Sequence, residues 1–338
     1  KYSGKMTSKK KIAVVTGGAG FIGSHMVDLL LYKNYHVRVI DNLAGGHKKN
    51  LKHNSNNPYL KFNNIDICKL KPNNKLFKNA DYVFHFAGVG DIVPSIENPV
   101  KYITNNVQGT VKVLEAARYS KVKKFIYAAS ASCYGINEKI IKEDSHINLE
   151  HPYALSKYLG EKAVFHWNKV YGLSANSIRI FNAYGPRVRT TGAYGAVIGV
   201  FFKQKIKNKP LTIVGDGKQS RDFVHVTDVV KAFLAAAKTT NAGKIYNVGT
   251  GKPQTVNYLS NLVGGRKVFI PNRPGEPKRS CANISKIRRE LKWKPKIKFR
   301  DGIFQMLSEI NQWKDAPLWT PKKIKKATKT WFSYLSKK

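Results

Sequence analysis

The stretch "KIAVVTGGAGFIGSHMVDLL" (residues 11–30) reads as strand, tight turn and helix in immediate succession, and it decides the fold. "KIAVVTGG" (11–18) is a short apolar run rich in β-branched residues, the pattern of a strand buried on both faces. "FIGSHMVDLLLYKN" (21–34) follows with Ile22, Met26, Leu29 and Leu30 at helical spacing. Between them Gly17, Gly20 and Gly23 recur every third residue. Glycines permit a tight turn and let the backbone approach a pyrophosphate, whose charge then rests on the free N–H groups of the helix N-terminus. A bare glycine triplet says little, but in this strand–turn–helix setting it predicts a dinucleotide site. Phe21 and Ile22, inside the same turn, are counted with it.

The same rhythm continues outward. "HVRVIDN" (36–42), "LKFNNIDI" (60–67), "YVFHFAG" (82–88), "KFIYAAS" (124–130) and "SANSIRIF" (174–181) are short, mostly apolar, and separated by enough chain for crossover helices. Strands apolar on both faces predict an α/β fold with a doubly wound parallel sheet covered by helices. Asp41 ends the second strand, 18 residues after Gly23, where a carboxylate accepts hydrogen bonds from a ribose diol and repels a 2′-phosphate. NAD is therefore favoured over NADP, and Asn42 joins the cofactor set. Asp66 and Ile67 end the third strand, where they would hold the adenine edge or simply form a turn.

Beyond residue 182 the rhythm breaks into loops rich in Gly, Pro and Asn, with helical stretches near 226–237, 255–263 and 285–291. This predicts a nucleotide domain over 1–181 and a smaller lobe over 182–338, with part of 215–250 returning to the first domain. The last 18 residues read as one lysine-rich amphipathic surface helix.

Lys+Arg number 60 against 20 Asp+Glu, a formal charge of +40 on 338 residues. The reflex reading is a nucleic-acid partner. However, 48 of the 60 are Lys and only 12 Arg, and they are spread along the whole chain. Base readout and bidentate phosphate clamps favour Arg, so the charge reads as compositional bias on a solvated surface, with no specific nucleic acid expected. Cys68, Cys133 and Cys281 are too few and scattered for a disulfide framework or a metal site, which points to a reducing cytoplasm and no metal. No apolar run approaches a membrane span, so no membrane insertion is expected.

In "YALSK" (153–157) a phenol and an ammonium lie one turn apart on one helical face, Tyr153 and Lys157. A cation beside a phenol favours phenolate, but the pair alone is weak evidence. "GGAGFIGSH" (17–25), "HFAG" (85–88), "NVQGT" (106–110), "SASCYG" (130–135), "YALSK", "RIFNAYGPR" (179–187), "GDGKQSRDFVHVTD" (215–228), "NVGTG" (247–251) and "RPGE" (273–276) occur together and in order. With them the chain, over roughly 11–310, resembles the extended short-chain dehydrogenase/reductases that epimerise or dehydrate nucleotide sugars, closest to the UDP-glucose 4-epimerase-like group.

The resemblance implies a Rossmann-type domain with a smaller, interleaved substrate lobe, NAD as cofactor, a UDP-sugar as substrate and a homodimer paired through helices around 100–118 and 153–170. Tyr153 would be the catalytic base. A free Tyr has a pKa near 10, so Lys157 and the cationic nicotinamide would have to bring it down. Ser130 would hydrogen-bond the reacting hydroxyl. Phe86, Ala87, Gly88, Asn106 and Phe181 match cofactor positions. Ser132, Asn182, Arg221 and Arg273 match substrate positions, with Arg187, Arg189 and 190–197 bordering the sugar. The implied activity is C4 epimerisation of a UDP-hexose, in its plain, N-acetyl or uronate form. The alternatives are a 4,6-dehydratase, reductase or decarboxylase of the family and, more remotely, a non-catalytic NAD-sensing or polyanion-binding protein. Ala131 and Ser132 stand where dehydratases carry an acid, and Gly90 where some epimerases carry a lysine. The segment past about 312 has no family counterpart.

Overall fold

A computed structural model describes residues 10–137, 139–189, 197–272 and 276–335. The strand runs read from sequence form six parallel strands: β1 (Ile12–Thr16), β2 (His36–Ile40), β3 (Leu60–Asn63), β4 (Tyr82–His85), β5 (Lys124–Ser130) and β6 (Ala175–Ile180). Three helical segments intervene first, α1 (Phe21–Tyr32), α2 (Ile92–Glu97) and α3 (Pro99–Ile103). A π-helical turn (Thr104–Gln108) leads into α4 (Gly109–Tyr119), and α5 (Pro152–Tyr171) follows β5. Side chains alternate across each strand, so Ala13 and Val15 of β1 pack with Met26, Leu30 and Phe233 on one face. Val14, between them, packs with Val113, Leu114 and Val164 on the other. Two buried faces are what an all-parallel sheet requires.

After Ile180 the chain builds β7 (Asn182–Tyr184), α6 (Val197–Ile206), β8 (Leu211–Val214), β9 (Ser220–Arg221), β10 (Phe223–His225) and α7 (Val226–Lys238). Then comes β11 (Lys244–Val248), which pairs in parallel with β6 and completes a seven-stranded sheet of order β11-β6-β5-β4-β1-β2-β3. The remainder is β12 (Gln254–Thr255), α8 (Val256–Val263), β13 (Lys267–Ile270), α9 (Ser285–Leu291) and α10 (Phe299–Ser308). Around Phe201, Phe202, Leu259, Ile303 and Trp313 these elements bury a separate core. Asp222, fully buried, joins this part to the sheet: its carboxylate accepts from Thr250 N (2.6 Å), Gly251 N (2.9 Å) and Ala282 N (2.9 Å).

The C-terminal segment departs from the single helix expected. It forms α11 (Pro321–Ala327) and α12 (Lys329–Leu335), separated at Thr328, whose buried hydroxyl donates back to Ile324 O at 2.8 Å. That competing side-chain bond is of a kind that bends helices. The segment is anchored on this separate core, where Trp313 packs edge-on against Phe202 and Gln204 Nε2 donates to Trp319 O at 2.8 Å. It ends against α2, where Thr330 Oγ1 donates to Glu97 Oε1 at 3.0 Å.

Candidate active site

The order reverses between β1 and β4, and a cleft of about 770 Å³ opens there at the C-terminal ends of the strands. The glycine turn forms its floor. Gly17 has φ +68°, and a Cβ there would lie 2.7 Å from Ala87 N. A Cβ on Gly23 would run into the Gly17 carbonyl. Gly20, the N-cap of α1, gives no side-chain cap, and the first turn carries no acid. The first N–H groups of that helix are thus left to an anion, as a dinucleotide's pyrophosphate requires. Phe21 and Ile22 line the same floor.

Asp41 lies in the cleft wall with 7% exposure. Its carboxylate accepts from Ala19 N (2.9 Å) and Leu43 N (2.8 Å), pinning the glycine turn to the end of β2. Each oxygen keeps a further lone pair for a ribose hydroxyl. Asn42 and Ile67 line the cleft as well. So does Asp66, which also caps the turn after β3 through Cys68 N at 2.9 Å. Phe86, whose ring lies 4.6 Å from that of Phe233 and tilted to it by 40°, shares the opposite wall with Ala87, Gly88 and Phe181. Asn106 stands behind that wall. Its Oδ1 accepts from Val89 N (2.8 Å), while Nδ2 donates to Val89 O (3.0 Å) and Ser156 Oγ (2.9 Å). With its amide hydrogens committed to the chain, Asn106 fixes the turn that faces the cofactor, where a direct contact was expected.

Ser130 ends β5, and α5 presents Tyr153 and Lys157 in its first two turns, all three lining the cleft. Pro152 at the helix start and the His151 ring, which accepts from Ala154 N at 3.2 Å, fix where the helix begins. Ser130 Oγ accepts from Ser132 through N–H (3.1 Å) and hydroxyl (2.8 Å), and lies close enough to the Tyr153 phenol to favour its anion. Burial holds the Tyr153 phenol above its ordinary pKa, the Ser130 hydroxyl pulls it down, and the Asp91 carboxylate pushes it up. Burial also lowers Lys157 to about 8, opposed by Glu161 one turn along. The resemblance implies that Lys157 brings the phenol down; in the protein alone the Lys157 ammonium lies over the Tyr127 ring, 4.5 Å from its centroid, and burial dominates at Tyr153. Glu161 is itself held at 2.5 Å by buried Arg179.

On the substrate side the predicted residues are dispersed. Asn182 is an exposed residue at the start of β7, and Arg221 is paired with Glu276 at 2.7 Å. Neither is in the wall of this cleft. Arg273 and 190–196 lie outside the described residues. Arg187 turns away to Asp28 at 2.7 Å, whereas Arg189 lines the cleft. Among the described residues no cluster of three His, Cys, Asp or Glu is placed to hold a metal, and no helix is long and apolar enough to cross a membrane.

Residues 13–249, well over half the chain, match the model of the NAD dependent epimerase/dehydratase family. The chain belongs to that family. It is an enzyme of the epimerase type, and its cofactor is NAD. It is 39% identical over 304 residues to a putative UDP-glucose 4-epimerase of Methanocaldococcus jannaschii, covering 87% of this chain and 97% of that one. A UDP-N-acetylglucosamine 4-epimerase from Methanobrevibacter ruminantium, solved with UDP-N-acetylmuramic acid, superposes with a TM-score of 0.83 at 34% identity. That match covers 89% of this chain and 99% of the other. A UDP-glucuronic acid 4-epimerase from Bacillus cereus, solved with UDP-glucuronic acid and NAD, gives 0.83 at 31% over the same shares.

Within this family site, two residues escaped the sequence reading. Thr110 Oγ1 donates to Asn106 O (2.7 Å), so His85 Nε2 must donate to Thr110 (2.9 Å), and Nδ1 accepts from Thr16 Oγ1 (2.6 Å). Burial drives His85 down to about 3, so it stays neutral and ties β1, β4 and the π-helical turn together behind the cofactor wall. "HFAG" marked His85 as part of a motif but not its role. The second is Asp91, in the cleft wall with φ +78°. No local signal in "VGDIVP" distinguishes it.

Proposed function

We propose that this enzyme epimerises a UDP-hexose at C4 through a transient 4-keto sugar. One observation carries the reading: Tyr153, Ser130 and Lys157 lie together in the wall of the dinucleotide cleft, with Ser130 near enough to the phenol to favour its anion. NAD+, when bound, supplies the hydride acceptor at C4 and returns the hydride to the other face. Ser132 occupies acceptor sites of Ser130 Oγ, which directs the Ser130 proton toward Tyr153 and favours the phenolate. Tyr153 takes the C4 hydroxyl proton and gives it back after the sugar has turned. Lys157, a buried ammonium in the same cleft wall, favours the anionic form of that oxygen while the proton is away. Ala131 and Ser132 bring no acid to the neighbouring carbon, which disfavours elimination.

The lobe built after residue 182 is the substrate half in this reading, and the family resemblance assigns Arg221 and Arg273 to the diphosphate. The exposed apolar residues Val100 (73%), Leu155 and Leu159 on α3 and α5 support pairing of two copies through these helices. Three unpaired cysteines agree with a reducing cytoplasm.

Purified enzyme incubated with UDP-glucose, UDP-N-acetylglucosamine and UDP-glucuronate should give C4 epimers of unchanged mass and no net NADH. Tyr153→Phe should lower kcat about 10²- to 10⁴-fold while NAD binding is kept. Loss of water or carbon dioxide, or parental turnover in the variant, would defeat the proposal.

A further inference from the structure

Asp91 is hard to explain as a structural residue. Its φ of +78° lies where L side chains rarely go, so the backbone there is strained. An Asp before a helix commonly caps it, but Asp91 makes no cap hydrogen bond to α2. The conformation is imposed by distant groups. The Tyr102 hydroxyl donates to Gly90 O, and Asn106 holds Val89 on both sides. Tyr102 in turn stands edge-on to Tyr153, ring centroids 6.3 Å apart. The fold therefore holds a carboxylate in the cleft wall beside the catalytic phenol, close enough to act on it electrostatically.

From there Asp91 reaches across to the second lobe, where Arg189 Nη2 lies 3.4 Å from its Oδ2. Both side chains are part-exposed, at 44% for Arg189 and 34% for Asp91, so the pair itself adds little stability. Its importance is its position. The sugar must bring its C4 hydroxyl to Tyr153 and Ser130. C6 is carried on the carbon next to C4, so it enters the same part of the cleft in either pose of the turning ring. A neutral CH₂OH there leaves the Asp91–Arg189 pair intact and offers it a hydroxyl. A C6 carboxylate would be brought up against the Asp91 carboxylate, in a cleft whose water the ligand has displaced. Selectivity of this kind rests on the repulsive element.

We infer that Asp91 is a specificity-determining residue that excludes uronates, so that the sugar accepted is neutral at C6, a hexose or an N-acetylhexosamine. This rests on the epimerase reading above and narrows it. It also gives the strain at residue 91 a reason: glycine would suit the backbone but would carry no charge.

The test is the ratio of kcat/KM for UDP-glucose or UDP-N-acetylglucosamine to that for UDP-glucuronate, in the parent, Asp91→Asn and Asp91→Gly. The glycine variant suits the backbone at this φ, so one charge-free variant folds even if the amide does not. We expect the parent to favour the neutral sugars and both variants to narrow the ratio at least about tenfold. A parent that prefers UDP-glucuronate, or a ratio unchanged within about twofold, overturns the inference. If no UDP-sugar is epimerised, the proposed function has failed. The Kd ratio of UDP-glucose to UDP-glucuronate, measured by calorimetry in the same three proteins, then decides the role of Asp91 alone: narrowing supports it, and no change ends it.

Discussion

Two turns flank the cleft at the ends of neighbouring strands, residues 17–23 after β1 and 86–91 after β4, and they meet their backbone demands in opposite ways. In the first, glycine stands wherever the chain must bend back or come close, as at Gly17 and Gly23. In the second, Asp91 sits at φ +78°, held there by Tyr102 and Asn106 from the helical segment beyond. The first turn works through backbone N–H groups and needs no side chain. The second presents a charged side chain, and only contacts from elsewhere make its conformation tolerable. A turn of the first kind announces itself in sequence, and one of the second kind does not.

The largest break in this comparison is Gly17→Ala. The added methyl meets Ala87 N at 2.7 Å in a left-handed backbone, so stability should fall by about 2–4 kcal/mol and NAD binding at least about tenfold. Urea unfolding and an NAD titration check both. Parental NAD affinity would mean the turn yields more easily than its packing implies.

A second, comparable effect concerns charge at the wall between the turns. Lys157 binds a proton up to about pH 8 in the folded protein and up to 10.5 when unfolded. Between these values the unfolded chain holds more protons, so this residue makes stability rise with pH. Relative to Lys157→Met, the NAD-free parent should gain up to about 3 kcal/mol from pH 8 to 10.5. Chemical unfolding at stepped pH measures the difference, and a flat difference would place the ammonium in contact with water.

The smallest effect sharpens the contrast directly. Asp91→Gly should stabilise the protein by roughly 0.5–1 kcal/mol, because relief of strain exceeds glycine's entropy cost and the weak ion pair lost. Adding a side chain at Gly17 and removing one at Asp91 thus change stability in opposite directions, read by urea midpoint. A destabilised Asp91→Gly would show that the Arg189 pair outweighs the strain.

The sequence by itself determined the parallel sheet, because strands such as Ile12–Thr16 are apolar at successive positions and must be covered on both faces. It also determined the glycine turn after the first strand and the placing of Tyr153 and Lys157 one turn apart on one helix, since glycine spacing and helical periodicity act over a few residues. Only the tertiary structure decided that Asn106 braces the cleft wall from behind, that Arg221 is paired with Glu276, and that burial raises the Tyr153 phenol. It alone set Asp91 opposite Arg189. Desolvation and charge pairing depend on distances between residues far apart in the chain, and those distances exist only after the lobes have packed.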